Sequence, residues 1–222
     1  MKLALFDLDG TLLPGDSDHA FGEFLVASGL ADGGEFRRRN DGFYADYESG
    51  RLDIEAYVDF ATRHWRDLPA AQIDALAAAY LDRVIRPMLR TSARALVEQH
   101  RVAGDLLAIV TATNDFVTRP IAELFGVEAL IATELERDPR GRVTGAIRGV
   151  PAFREGKVRR VEDWLAAQGL ALGDFERSVF YSDSTNDLPL LAHVSHPVAT
   201  NPGPALERIA RERGWPVLEL FT

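Results

Sequence analysis

The 222-residue sequence contains no cysteine, which excludes disulfides, thiolate metal sites and a cysteine nucleophile. It also lacks a basic tract. With 25 Lys and Arg against 34 Asp and Glu, the formal net charge is −9. The tightest basic run, Arg37-Arg38-Arg39, reads as a solvated helix face among many acids. The electrostatic footprint of a nucleic-acid binder is therefore missing. No apolar stretch approaches the roughly 20 residues that a membrane-spanning helix needs. The run after Lys2 is cut short at Asp7, unlike the apolar region of a signal peptide. A soluble, cytoplasmic protein with neither nucleic acid nor membrane as partner is expected. No internal repeat or low-complexity segment is present. What the chain does have is apolar residues, 46% of the total, enough for a packed core in one domain or a domain carrying an insertion.

Strand-like apolar runs recur at residues 2–6, 106–110, 129–132, 178–181 and 194–199, with a shorter candidate at 216–220. Segments with helical spacing, such as 116–125, 158–168 and 204–213, lie between most of them. This alternation predicts an α/β fold, a doubly wound parallel sheet with helices on both faces. Residues 16 to 86 break the pattern: helix-like stretches at 17–28, 35–48, 54–65 and 70–86 follow one another without a convincing strand. Asp53 and Pro69 stand where the third and fourth of these should start. Inserted after the first strand, such a block would sit over that strand's carboxyl end as a lid. The predicted division is a core of residues 1–15 and 88–222 and a helical cap of residues 16–87, with Gly15 and Pro87 at the hinges. A turn at Asp138-Pro139-Arg140-Gly141 before Val143-Thr144-Gly145-Ala146-Ile147 predicts a small β-hairpin.

The residues with chemical potential fall at predicted strand ends. Leu3-Ala4-Leu5-Phe6 runs into Asp7-Leu8-Asp9-Gly10-Thr11. Carboxylates two apart at a strand end project to the same side of the sheet. Thr111 closes the second run, Lys157 lies early in a helix beginning near Arg154, and Ser182-Asp183-Ser184-Thr185-Asn186-Asp187 closes the strand at 178–181. Taken singly, Thr111 reads as a helix cap and Lys157 as a surface charge. Jointly, sheet-end placement would gather them into one crevice, and the set suits phosphoryl transfer. A carboxylate can take the phosphoryl group and be hydrolysed in turn, while a hydroxyl, an ammonium and a cation converge on its oxygens. Every candidate ligand is oxygen, so Mg²⁺ is the expected metal.

These motifs resemble those of the haloacid-dehalogenase-like hydrolases over essentially the whole chain, with the nearest likeness to the phosphoserine-phosphatase-like branch. The resemblance implies a Rossmann-like core with a helical cap after the first strand. It also implies Asp7 as nucleophile, forming an aspartyl-phosphate, and Asp9 as general acid and then base. Asp7, the main-chain carbonyl of Asp9 and Asp183 would hold Mg²⁺. Thr111 and Lys157 would bind the phosphoryl oxygens. Asp187 would orient Lys157 or a metal-bound water, and Asn186 would contact phosphate or that same layer.

The sequence departs from the family at several places. Ser182 and Ser184 replace glycines of the fourth motif, and Ala112-Thr113 replaces a Gly-Gly after Thr111. Asp16 stands where phosphoserine phosphatases place a cap glutamate that reads the substrate amine. Asp59 falls, by ungapped alignment, where they place an arginine for the substrate carboxylate, with Arg51 and Arg63 nearby. An acidic cap favours a small phosphate ester whose far end is neutral or cationic, such as histidinol phosphate or phosphoethanolamine, over phosphoserine. Phosphoserine hydrolysis and phosphotransferase or mutase chemistry remain the alternatives among enzymes. A binding protein without turnover is disfavoured because every motif acid is present. Of the histidines, His19 lies nearest the expected crevice and is expected to be structural or solvent-facing.

Overall fold

A computed structural model describes residues 1–221. In chain order the strands are β1 (Lys2–Phe6), β2 (Leu106–Asn114), β3 (Ala129–Thr133), β4 (Leu135–Arg137), β5 (Val143–Ile147), β6 (Arg177–Ser182), β7 (His196–Thr200) and β8 (Val217–Leu218). One parallel sheet takes the order β3-β2-β1-β6-β7-β8, and β4 pairs antiparallel with β5 as the expected hairpin. Leu3, Ala4, Leu5 and Phe6 are all fully buried, as a central parallel strand covered on both faces requires. Their side chains alternate: Ala4 and Phe6 enter one hydrophobic cluster, Leu3 and Leu5 the other. The chain leaves β1 outward toward β2 and β3, then returns to lay β6, β7 and β8 on its other side. That reversal opens a crevice at the carboxyl ends of β1 and β6.

The helices of the insertion are α1 (Ser17–Ala27), α2 (Glu35–Glu48), α3 (Ile54–Thr62), α4 (Ala70–Tyr80) and α5 (Arg86–Met88); the rest are α6 (Thr91–Val102), α7 (Asp115–Leu124), α8 (Glu155–Ala166), α9 (Leu188–His193) and α10 (Pro204–Arg213). Two expectations need correction. The single helix expected over 70–86 is interrupted by a π-helical turn at Leu81–Ile85 before α5. Pro87 lacks an N–H and crowds the turn before it, and wider π spacing relieves that conflict. The second strand does not end at Val110 but continues to Asn114, with a register shift against β3 that gives a local bulge.

The insertion grips the core at both ends. On one side, Trp65 stacks on Phe116 at 4.1 Å between ring centroids, and Phe21 meets Phe116 edge-on at 5.9 Å. On the other, Asn186 Nδ2 donates to Tyr47 O at 2.8 Å, and the Arg154 guanidinium donates to Gly50 O. The helical block therefore bridges the crevice. Among the described residues, no helix is long and apolar enough to cross a membrane.

Candidate active site

The crevice is built from the ends of β1, β2 and β6 and the start of α8. Asp7 follows β1 directly, its N–H donating to Tyr181 O at 2.9 Å. Lys157, in the first turn of α8, is buried with Asp7 and Asp187. Its Nζ lies 2.9 Å from Asp7 Oδ1 and 2.7 and 2.8 Å from the two carboxylate oxygens of Asp187. It is therefore no surface charge. Burial acts to lower the Lys157 ammonium, but Asp187 and Asp7 outweigh it and hold it above the usual lysine range. Burial lifts the Asp7 carboxyl from 3.8 to about 7 although Lys157 pulls it down.

Asp9 is gripped at both oxygens: Ser17 N donates to Oδ1 at 2.7 Å and Thr113 Oγ1 to Oδ2 at 2.9 Å. Burial first, and then the charge of Asp16, raise its carboxyl to about 8 against those two donors. A carboxyl raised in this way holds its proton to higher pH than a free aspartate does. Thr111 is buried in the bulge of β2, its Oγ1 accepting from Thr113 N at 3.2 Å. It caps no helix; that task falls to Asn114, whose Oδ1 accepts from Val117 N at 3.2 Å at the head of α7.

Asp183 leaves β6 opposite Asp7. Thr11 Oγ1 donates to its Oδ1 at 3.1 Å and accepts from its N–H at 3.0 Å. Burial, followed by the charges of Asp7 and Asp187, pushes the Asp183 carboxyl well above its usual range, and it has no salt-bridge partner among the described residues. Gly10, at φ +73°, lets the loop come this close, since a Cβ there would sit 2.1 Å from Asp183 Oδ2. Asn201 braces the same loop by donating to Gly10 O at 2.9 Å and Thr11 O at 3.2 Å. A divalent cation fits this oxygen-lined corner. Among the described residues no group of three or more His, Cys, Asp or Glu side chains that could hold a metal ion is found; the carboxylates of Asp7 and Asp183 are the charged oxygens this corner offers.

The other expected residues are redistributed. Asp187 steadies Lys157, and Ser182 Oγ donates to Asp187 Oδ2 at 2.7 Å while accepting from Ser184 N at 3.2 Å. The serine at 182 thus adds a strut that a glycine there could not. Asn186 gives its Nδ2 to the cap at Tyr47 O, and its Oδ1 lies 3.4 Å from Arg154 Nε. Asp16 Oδ1 caps α1, accepting from Asp18 N at 2.9 Å and His19 N at 2.7 Å. His19 pairs with Asp41 at 2.8 Å and lies against Tyr44.

Asp59 is corrected. It lies on the outer side of α3, held by Arg63 and by Arg66 Nη1 at 2.7 Å, close to Gly145 of β5. Asp59 does not line the cavity over Asp7. Arg51 is largely exposed and sits 3.5 Å from Asp46.

Between the β1 and β2 ends and the cap lies a cavity of about 40 Å³, open to solvent at its mouth. Asp7, Asp9, Thr111 and Thr113 form its floor, Asp16, Asp18 and His19 one wall, and Phe43, Tyr44, Tyr47 and Tyr57 much of the rest. Among the described residues its lining includes neither lysine nor arginine. Sequence reasoning missed Asp18, Asn114 and Thr113; Asp18, two residues past the Asp16 cap, was the most visible of these.

The sequence matches the family model of haloacid dehalogenase-like hydrolases over residues 4–192. A histidinol-phosphatase of Neisseria meningitidis serogroup C (strain 8013) is 42% identical over 217 residues, covering 98% of each chain. The phosphoserine phosphatase SerB1 of Mycobacterium tuberculosis (strain ATCC 25618 / H37Rv) is 33% identical over 96% of this chain and 69% of its own. Among solved structures, a protein of unknown function from Bordetella pertussis Tohama I superposes with a TM-score of 0.93 at 52% identity, covering 99% of both chains. A substrate-bound phosphoserine phosphatase shares the fold, with a TM-score of 0.69 at 18% identity over 98% of this chain and 92% of that one. Strand-end acids, buried lysine and helical insertion thus come together in a known architecture, and the chain belongs to the haloacid dehalogenase-like hydrolases.

Proposed function

We propose that this phosphatase hydrolyses the phosphate monoester of a small amino alcohol, with histidinol phosphate as the favoured substrate. The observation that carries the reading is the cavity over Asp7: it presents Asp16 and Asp18 among aromatic rings and includes no arginine or lysine in its lining. An ester with a cationic far end is drawn to such walls, whereas the carboxylate of phosphoserine would be repelled. The 42% identical relative named a histidinol-phosphatase supports the same choice.

In this reading Asp7, ion-paired to Lys157, attacks phosphorus. The phosphorus–oxygen bond to the alcohol breaks, and the Asp9 proton goes to the departing oxygen. The phosphoryl group then rests on Asp7. Asp9, now ionised, takes a proton from a water that attacks phosphorus, releasing phosphate and restoring the Asp7 carboxylate. Thr111 and Lys157 hold the phosphoryl oxygens, and Asp187 with Ser182 keeps Lys157 in place. Mg²⁺ would be held by Asp7, Asp183 and the Asp9 carbonyl, where it neutralises charge on the carboxylates and the transferring group. Residues 16–87 act as the cap over a core of 1–15 and 88–222. The cysteine-free chain suits a reducing cytoplasm, where we place it.

The test is phosphate release from a panel of phosphomonoesters with Mg²⁺ or with chelator, beside Asp7→Asn. The expected result is metal-dependent release, greatest for amino-alcohol esters and abolished in the variant. Release that persists in Asp7→Asn would refute the nucleophile. No release from any ester would refute the hydrolytic reading in favour of phosphotransfer or binding.

A further inference from the structure

Asp18 stands apart from the other acids of the crevice. It is 94% buried, with 6% of its surface exposed, yet no cation pairs with it among the described residues. Its hydrogen-bond donor is neutral. Asn114 Nδ2 lies 3.2 and 3.3 Å from its two oxygens, and the Tyr57 hydroxyl lies near it in the same cavity. The Asn114 amide cannot turn away, because its Oδ1 caps α7 through Val117 N. Asp16, by contrast, spends Oδ1 on two backbone N–H groups at the head of α1, where the helix dipole helps to stabilise its charge.

The surroundings of Asp18 are flat and apolar. Tyr57 packs edge-on against Phe43 at 5.3 Å, and Leu52, Ile54 and Val58 line the same cavity. Burial, then the Asp16 charge, push the Asp18 carboxyl up to about 7. A carboxylate left without a cation in such a place is costly, and it is best compensated by a donor that arrives with the ligand.

We propose that Asp18 is a specificity-determining residue that accepts a hydrogen bond from the ring N–H of a flat nitrogen heterocycle on the substrate, seated against Tyr57 and Phe43. Asn114 and Tyr57 act as positioning residues that aim its carboxylate. This rests on the amino-alcohol reading above and adds the ring to it. The site would reject a ring that lacks the N–H, because Asp18 would then stay buried without that donor.

The experiment compares histidinol phosphate with phenylalaninol phosphate, which keeps the amine and phosphate and replaces imidazole by phenyl, with glycerol phosphate as the ester lacking both. Wild type should favour histidinol phosphate over phenylalaninol phosphate by about 100-fold or more in kcat/KM. Asp18→Asn, nearly isosteric, should lower kcat/KM for histidinol phosphate by about 30-fold or more, mostly through KM, and change phenylalaninol phosphate by less than about threefold. Tyr57→Phe should move the same ratio in the same direction by a smaller factor, giving a second reading if Asp18→Asn folds poorly. Wild type that turns over the two amino-alcohol esters equally, or variants that keep the wild-type ratio, would overturn the role of Asp18 while leaving the amino-alcohol reading intact. Glycerol phosphate turned over as well as either amine ester would instead overturn that reading itself.

Discussion

The crevice has two halves that treat negative charge differently. On the core side, Asp7 and Asp187 share one buried ammonium, and Ser182 adds a further donor to Asp187. On the cap side, Asp18 meets the Asn114 amide and no cation, and Asp16 meets two backbone N–H groups with His19 nearby. Within the core-side pair the charge is compensated without a ligand, and the ammonium holds Asp7 and Asp187 in place. The second half is not compensated in this way, and in the proposed reading the substrate's ammonium would supply the missing cation.

Breaking the compensated half should have the largest effect. Lys157→Ala leaves two buried carboxylates facing one another, and a loss of about 3–5 kcal/mol is expected in denaturant unfolding. Turnover should fall by about 10⁴-fold or more, as it should in Asp7→Asn, because both remove parts that act as a unit. A Lys157→Ala protein as stable as wild type would show that the pair is not load-sharing in this way.

Breaking the uncompensated half should do the opposite to stability. The Asp18 carboxyl titrates near 7 in the fold against 3.8 when unperturbed. Between those values the folded state holds the extra proton, so this group's contribution makes the protein less stable as pH rises from about 4 to about 7. Asp18→Asn removes that dependence. The substrate-free variant should exceed wild type at pH 8 by about 1–3 kcal/mol, with the gap closing toward pH 4. A variant less stable than wild type at pH 8 would mean that Asp18 is a structural strut. A gain in stability joined to a loss of recognition is the trade expected of a binding residue.

Two smaller changes sharpen the boundary between the halves. Ser182→Ala frees Asp187 from one donor and should lower stability by about 1 kcal/mol. It should reduce kcat more than it raises KM, since the effect passes through Lys157 to the phosphoryl group. Asp59→Asn should leave kcat/KM within about twofold, because Asp59 lies outside the cavity lining, paired with Arg63 and the part-buried Arg66. A large effect there would restore the aligned role that the structure removes.

The sheet and its crevice were legible because their signals are local and repeated. Leu3 to Phe6 could only be a buried strand, and the carboxylates after it could only emerge at its end. The family motifs then named Asp7, Asp9, Thr111, Lys157, Asp183 and Asp187, all of which the fold brings to that crevice. The cap resisted reading for a physical reason. Its side chains point by virtue of loop geometry and inter-element contacts, which leave no periodic trace. Asp59 faces away from the crevice, held by Arg63 and Arg66. Asp18 moved inward because Asn114, 96 residues away, waits for it on β2. The β2 bulge and the π turn before Pro87 were hidden likewise, since each depends on how a neighbouring element is already placed.

The most direct test of the two-halved crevice is the wild-type kcat/KM for histidinol phosphate set against its deaminated counterpart, measured in the same Mg²⁺ buffer. The two esters share phosphate and ring and differ by one ammonium. If the cap wall is organised around a cation, the amine-bearing ester should be preferred by about 30-fold or more. Equal turnover of the two would contradict the account.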